Sequence, residues 1–181
     1  VSNEDKIPEQ TGYVYDASAE NVLEGTIAGD GSLVLKVYFK QQFTVTYKPG
    51  TKGTFTEQTK TGLDYGTATP EFECGPTGPT GKPGYTFAGW EPSVATEVTS
   101  NVEYVAQWTA NTDTKYTVEY YYQNRGDYAE PTKRVERNGT TDTLAQVSNE
   151  DKIPEQEGYA YDATAENVLE GTIAGDGSLV L

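Results

Sequence analysis

Phe43-Thr44-Val45-Thr46-Tyr47 alternates aromatic or branched apolar side chains with threonines. A period of two residues is that of a strand with one buried face. The same period recurs on both sides of this stretch. Leu33, Leu35, Val37 and Phe39 share one face of residues 32–40. Val102, Tyr104, Ala106 and Trp108 form a second such stripe, and Tyr116, Val118, Tyr120 and Tyr122 another. Gly29-Asp30-Gly31, Gly175-Asp176-Gly177 and Asn138-Gly139 predict tight hairpin turns, because Gly, Asp and Asn tolerate positive φ. Helix signal is weak. Residues 141–148 predict one short helix capped by Thr140 or Thr141, and residues 163–169 read as helix or strand. The expected fold class is mainly β (α+β with little helix).

A repeat organises the chain. Residues 1–35 recur at 147–181, an offset of 146 residues, with differences only at Thr11/Glu157, Val14/Ala160 and Ser18/Thr164. Near-identity of this kind points to recent duplication within a tandem array. The period is longer than common solenoid units, so separate small domains in a row fit better. Only the first copy continues into Lys36-Val37-Tyr38-Phe39-Lys40, and only the second follows residues 116–146. The expectation is a fragment of a longer protein: the tail of one domain, a complete middle domain, and a nearly complete second copy of the first.

The chain has 181 residues and a net charge of −15. Such acidity disfavours nucleic acid, whose phosphates need a basic surface, and an anionic membrane face. No apolar run reaches the length of a membrane span. Histidine is absent, which excludes a histidine-based triad and a histidine-ligated zinc. A single cysteine, Cys74, excludes an internal disulfide. The apolar fraction is only 35%, yet there are 14 tyrosines and two tryptophans. These rings bury large areas and suit thin-cored modules of about 60 to 70 residues, near the lower limit for a self-sufficient core.

The middle of the chain carries Phe43-Thr44-Val45-Thr46-Tyr47, then Tyr65-Gly66-Thr67-Ala68-Thr69-Pro70, Gly84-Tyr85-Thr86-Phe87-Ala88-Gly89-Trp90 and Val102-Glu103-Tyr104-Val105-Ala106-Gln107-Trp108. Over residues 43–109 this order resembles the Listeria–Bacteroides repeat, the type of module found in internalin B repeats. The resemblance implies a small ubiquitin-like β-grasp fold in a bacterial surface protein. The loop at 73–82, with Cys74, is longer than that family's pattern. Residues 116–181 more loosely resemble the MucBP (mucin-binding-protein) repeats of Gram-positive surface proteins. That resemblance rests on Tyr116-Thr117-Val118-Glu119-Tyr120-Tyr121-Tyr122, Glu130-Pro131-Thr132-Lys133, Gly158-Tyr159 and the closing hairpin from Glu170. The implied organisation is tandem β-grasp domains. Residues 1–41 are the end of a MucBP-like repeat, 42–110 a Listeria–Bacteroides-type repeat, 111–115 a linker and 116–181 a second MucBP-like repeat. A fold resemblance does not transfer a ligand.

Candidate chemistry is sparse. Cys74 reads as a reactive thiol, as half of a thioester with Gln58, or as an incidental loop cysteine; few cations lie near it to activate it. Residues 75–84 spell Gly-x-y triplets, but a collagen helix needs many triplets and three chains. A stiff Pro/Gly loop is the expectation, with Pro76, Pro79 and Pro83 as possible ligand contacts. Glu150, Asp151, Glu155 and Glu157 read as a solvated acidic surface rather than a glycosidase pair or an EF-hand. Lys36 and Lys40 face away from the apolar stripe, and no isopeptide triad is placed around them. Tyr121 is a further possible ligand contact, while its neighbours read as core. Asn138-Gly139-Thr140 spells a glycosylation acceptor.

These readings predict a non-catalytic, cofactor-free and metal-free segment of an extracellular bacterial cell-surface protein, anchored to the cell wall through other regions. It would act as the stalk of an adhesin. The alternative is an adhesive module binding host mucin glycans or an extracellular-matrix protein by avidity. Expected partners include neither nucleic acid nor an inserted membrane. Residues 1–40 predict a strand-swapped or head-to-tail self-contact.

Overall fold

The computed structural model describes residues 1–76 and 78–181. Among these residues the chain is mainly β, with nine strands, two single-turn 3₁₀ helices and no α-helix. The strands are β1 (Tyr13–Tyr15), β2 (Phe39–Lys48), β3 (Gln58–Asp64), β4 (Tyr85–Glu91), β5 (Val102–Ala110), β6 (Thr114–Tyr120), β7 (Lys133–Gly139), β8 (Leu144–Gln146) and β9 (Glu170–Thr172). The 3₁₀ turns are Glu4–Lys6 and Glu150–Lys152. One sheet has the order β1-β2-β5-β4, with β3 also on β2; β6-β7 and β8-β9 are two-stranded. The first sheet is mixed, because β2 runs antiparallel to β1 and β3 but parallel to β5.

The chain divides into two compact units. One comprises Val1–Gly50, Thr56–Pro76 and Trp90–Ala106; the other comprises Thr51–Phe55, Thr77–Gly89 and Gln107–Leu181. In the first, the stripe on β2 buries Phe43, Val45 and Tyr47 with Val98 and Tyr104, edged by Leu63, Phe72, Trp90 and Val102. Tyr47 is the centre. Its ring lies 4.8 Å from Trp90, 5.2 Å from Tyr104 and 5.6 Å from Phe72, in tilted and edge contacts that aromatic quadrupoles favour. Its hydroxyl donates to the Pro70 carbonyl at 2.7 Å, satisfying the one polar atom that this ring carries inward.

In the second unit the core is Tyr116, Val118, Ala145, Ile173 and Leu181, packed by Tyr120, Val147 and Leu179. β6 pairs β7 from Thr114↔Gly139 to Tyr120↔Lys133. β8 pairs β9, and the end of the chain adds beside β6 through the parallel bridge Thr117↔Val180.

The alternating stripes at 43–47 and 102–108 lie in strands as their period predicts, and the stripe at 116–122 does so as far as Tyr120, where β6 ends and leaves Tyr122 outside it. Three other expectations fail. The helix at 141–148 does not form: Asp142 takes φ 63°, which breaks a right-handed run, and residues 144–146 spend their backbone on β9. Asn138-Gly139 is not the hairpin turn. Both residues end β7, opposite Lys115 and Thr114, and the turn follows, where Thr143 N–H donates to Thr140 O at 3.1 Å. The strand at 32–40 begins only at Phe39. Upstream of it Lys36 forms a single bridge with Val22, Tyr38 bonds Asp16 N–H and Asn21 Oδ1, and Leu33 folds back over Gly25 instead. Residues 163–169 form neither helix nor strand.

Candidate functional site

The most enclosed charged cluster lies in the second unit. Tyr120 ends β6 and Arg137 is on β7, while Asp151 sits in the 3₁₀ turn that follows β8. The Asp151 side chain is only 6% exposed. Arg137 grips it with both terminal nitrogens, Nη1 donating to Oδ2 at 2.8 Å and Nη2 to Oδ1. Tyr120 donates to Oδ1 at 2.6 Å, and the Ser148 N–H to Oδ2 at 2.8 Å. A fork-on-carboxylate geometry with two further donors is the strong form of ion pair. The Arg137 guanidinium, with these donors, holds the Asp151 carboxyl well below the usual carboxylate range. Burial, then the Asp151 carboxylate, pushes the Tyr120 hydroxyl up to about 12. Every group here is held in one protonation state near neutrality. The cluster ties the turn after β8 to the end of β6 and to β7.

The residues singled out in the sequence fall into separate local networks. Tyr121 follows β6 and is 46% exposed. Its hydroxyl donates to Glu119 Oε2 at 2.7 Å, and Arg134 Nε donates to the same carboxylate at 2.6 Å. Pro76 is exposed, Pro79 half-buried and Pro83 exposed. Their loop is tied down: Gly81 bridges Gly53, Lys82 N–H donates to Lys52 O at 2.7 Å, and Thr54 N–H donates to Thr80 O at 2.9 Å. Trp108 lies so close over Gly81 that a Cβ there would sit 2.4 Å from its ring, and the Pro83 carbonyl packs against Gly175. The loop thus serves packing as well as exposure.

Cys74 is free and exposed. The Gln58 amide is engaged next to it, donating to Glu73 O at 2.5 Å and accepting from Glu73 N–H at 2.9 Å. Lys40 pairs with Asp64, and both are partly exposed. Each carboxyl group with a displaced pKa is displaced downward, by donors such as Ser18 on Asp16 and Lys52 on Asp142, so these acids stay ionised near neutrality. No cluster of three potential metal-ligating side chains occurs among the described residues. No described helix is long and apolar enough to cross a membrane. Open depressions in the first unit are shallow; one is lined by Ser18, Lys40, Phe43, Asp64 and Tyr65.

The solvated-acid reading of Asp151 is corrected by its burial. Sequence spacing held a signal for it, since Ser148-x-x-Asp151 is the pattern of a self-capping turn; the partner Arg137 had none. Comparison with protein-family models, with characterised proteins and with solved structures gave no match to this chain.

Proposed function

We propose that this chain is a non-catalytic stalk segment of a bacterial cell-surface protein, a spacer built from alternating small modules. The observation that carries this reading is the repeat, whose two copies share their turns and local side-chain contacts, although Tyr13–Tyr15 is a strand only in the first copy and Glu170–Thr172 only in the second. The turns at Glu4–Lys6 and Glu150–Lys152 match. Asp16 and Asp162 accept from the residue two positions on in the same way, at 2.9 and 2.8 Å. Asn21 and Asn167 each tie back to the carbonyl five residues earlier. A unit whose sequence and turns recur suits a role set by number rather than by a unique site. The strand order β3-β2-β5-β4 with its central pair parallel supports a β-grasp-like middle module of the Listeria–Bacteroides type, and the second unit fits a MucBP-like partner. Strong negative charge favours solubility and repulsion between neighbouring stalks.

A second reading rests on exposed rings. Tyr121, Tyr159 and Tyr161 are all partly open to solvent, and Tyr122 meets Tyr159 edge-on at 4.9 Å. Tyrosines of this kind suit contact with mucin glycans or matrix protein. Arrays of one, two and three periods separate the readings. A stalk requires a maximum dimension, by small-angle X-ray scattering, that grows by a constant increment per period; a dimension that saturates refutes it. Saturable binding to immobilised mucin, collagen or fibronectin that strengthens with repeat number and falls with Tyr121→Ala supports the adhesive reading.

A further inference from the structure

β6 is paired along both sides. β7 lies along one. On the other, Thr117 N–H donates to Leu179 O at 2.9 Å, Leu181 N–H to Thr117 O at 2.9 Å, and Glu119 N–H to Leu181 O at 2.8 Å. Main-chain groups point alternately to the two sides of a strand. Thr117 and Glu119 therefore point away from β7, and the residues opposite them, Glu136 and Arg134, point away from β6. The same alternation turns the main chain of Asn138 outward. Among the described residues no strand, bridge or main-chain bond uses that outer side of β7. The edge runs for seven residues without a proline or a break in register. Charge is the protection it carries against further pairing.

That charge is self-complementary. Arg134, Glu136 and Asn138 share the exposed face of β7. An antiparallel strand can bond to this edge only where outward residues meet outward residues. For a second β7 related by a twofold axis, charge selects among the registers. An axis at Glu136 sets Glu136 against Glu136, a destabilising like pair. An axis at Arg137 sets Glu136 against Asn138 and gains no ion pair. An axis at Val135 sets Arg134 against Glu136 on both sides of the axis, and each of these pairs also exchanges both main-chain bonds. Within one chain Glu119 holds Arg134 at 2.6 Å, and Lys115 holds Glu136 at 2.7 Å. The signs then alternate from Glu119 through Arg134 to Glu136 and Lys115 of the second copy. On the opposite face half-buried Val135 meets Val135 in a close, non-hydrogen-bonded pair. Lys133 comes opposite Arg137, but each already faces a carboxylate of its own chain, Glu155 and Asp151.

We propose that β7 is a self-recognition edge that takes β7 of a second copy of this chain, antiparallel, about a twofold axis at Val135. The contact is isologous, so one surface supplies both halves of it. It joins two β6–β7 ribbons into one sheet by strand addition. Its charge pairing excludes the neighbouring registers and strands of unmatched charge. A single edge of this length makes a weak contact, and repeated periods multiply it. The proposal goes beyond the stalk reading and stands on the edge alone.

The test uses the full chain in a Cys74→Ser background at physiological salt, where repulsion between chains of net charge −15 is screened over roughly 8 Å. Val135→Cys places a thiol at the axis, where Cα atoms about 4.5 Å apart suit a disulfide. Asn138→Cys, on the same edge, is the register control, because in this pairing the two 138 positions stand about 20 Å apart. Each variant is equilibrated in a glutathione redox buffer, and the covalent dimer is measured by mass spectrometry. Circular dichroism checks that each variant is folded. Arg134→Glu and Glu136→Arg are then added separately to Val135→Cys. Either one alone sets like charges opposite, whereas a mixture of the two restores both opposite pairs. The expected result is Val135→Cys dimer several-fold above the Asn138→Cys control and rising with concentration. Each charge variant alone should fall to the control level, and the mixture should give heterodimer several-fold above either homodimer. Val135→Cys capture equal to the control overturns the proposal and leaves the edge to a strand of another sequence. A mixture with no preference for heterodimer overturns it as well.

Discussion

Ile27→Ala and Ile173→Ala are the same substitution in the same local sequence, placed in opposite environments. Truncation removes three carbons. At Ile173, which is 2% exposed, the lost transfer energy is about 2.4 kcal/mol at roughly 0.8 kcal/mol per carbon. The hole left beside Gly139 and Tyr116 has little means of closing, because a glycine has no side chain to move in. A cavity contribution brings the total to about 3 to 4 kcal/mol. At Ile27, 86% exposed, the cost is below about 0.5 kcal/mol. A module this small has a urea slope near 1 kcal/mol/M, so its midpoint falls by about 3 M for Ile173→Ala and stays in place for Ile27→Ala. The assay is urea unfolding at low micromolar concentration, read by amide hydrogen exchange on β6 and β7. Tyr116 and Val118 amides should lose protection in one variant only. Equal midpoints for the two variants would refute the premise that packing against β6, β7 and β8, and not the segment's own sequence, sets the burial of Ile173.

Other expectations follow from particular contacts. Gly175→Ala drives a Cβ to 1.9 Å from the Pro83 carbonyl, whereas Gly29→Ala meets nothing within 4 Å; urea midpoints should show a cost of about 1 to 3 kcal/mol for the first and next to none for the second. Tyr47→Phe leaves the Pro70 carbonyl without its 2.7 Å donor and should cost about 1 kcal/mol, measured by tryptophan fluorescence in urea. The Asp151 carboxyl lies below its ordinary value, so its stabilisation is fully present above about pH 4 and is lost as pH falls through the lowered value. Urea midpoints of the second unit at pH 7 and below pH 3 should therefore differ more in the wild type than in Asp151→Asn. Tyr120 is pushed up to about 12, so its contribution is complete below about pH 10 and disappears as pH rises through about 12. In Asp151→Asn its ionisation, followed by absorbance near 295 nm, should move to lower pH.

The strand periods were legible because burial on one face imposes them. Phe43, Val45 and Tyr47 announce β2, and Tyr116 and Val118 announce β6, with no knowledge of their partners. Leu33 and Leu35 carry the same alternation and yet lie outside a ladder, because alternation states only that a strand can be half-buried. Whether a neighbour is present is a property of the rest of the molecule. The 141–148 segment misleads for a related reason. Thr140-Thr141 with Leu144 and Ala145 suits a capped helix locally, but Asp142 and the pairing with β9 give its backbone other partners. Tyr121 reads as an exposed ring and Pro76, Pro79 and Pro83 as a stiff loop; the structure bonds the Tyr121 hydroxyl to Glu119 and leaves Pro76 and Pro83 exposed and Pro79 half-buried. Arg137 and Asp151 sit 14 residues apart in sequence, and nothing in either residue's surroundings forecasts that the turn after β8 brings them together.

The repeat separates two kinds of information that are usually entangled. Turns, Asx contacts and the Leu-over-Gly fold-back are identical in both copies, so residues within about 35 positions of one another suffice to specify them. Burial of Ile173 and Leu181 is not specified at that range, because Ile27 and Leu35 lack it with the same sequence. A segment whose conformation is fixed locally, but whose apolar face is completed only by a hairpin elsewhere, has already lost most of the entropy that docking removes. Residues 116–146 supply that hairpin for the second copy, through Tyr116 and Val118 on β6, Gly139 on β7 and Ala145 on β8. The connection at residues 147–149 is part of the same packing, since Val147 lies against the core and Ser148 N–H donates to Asp151 Oδ2.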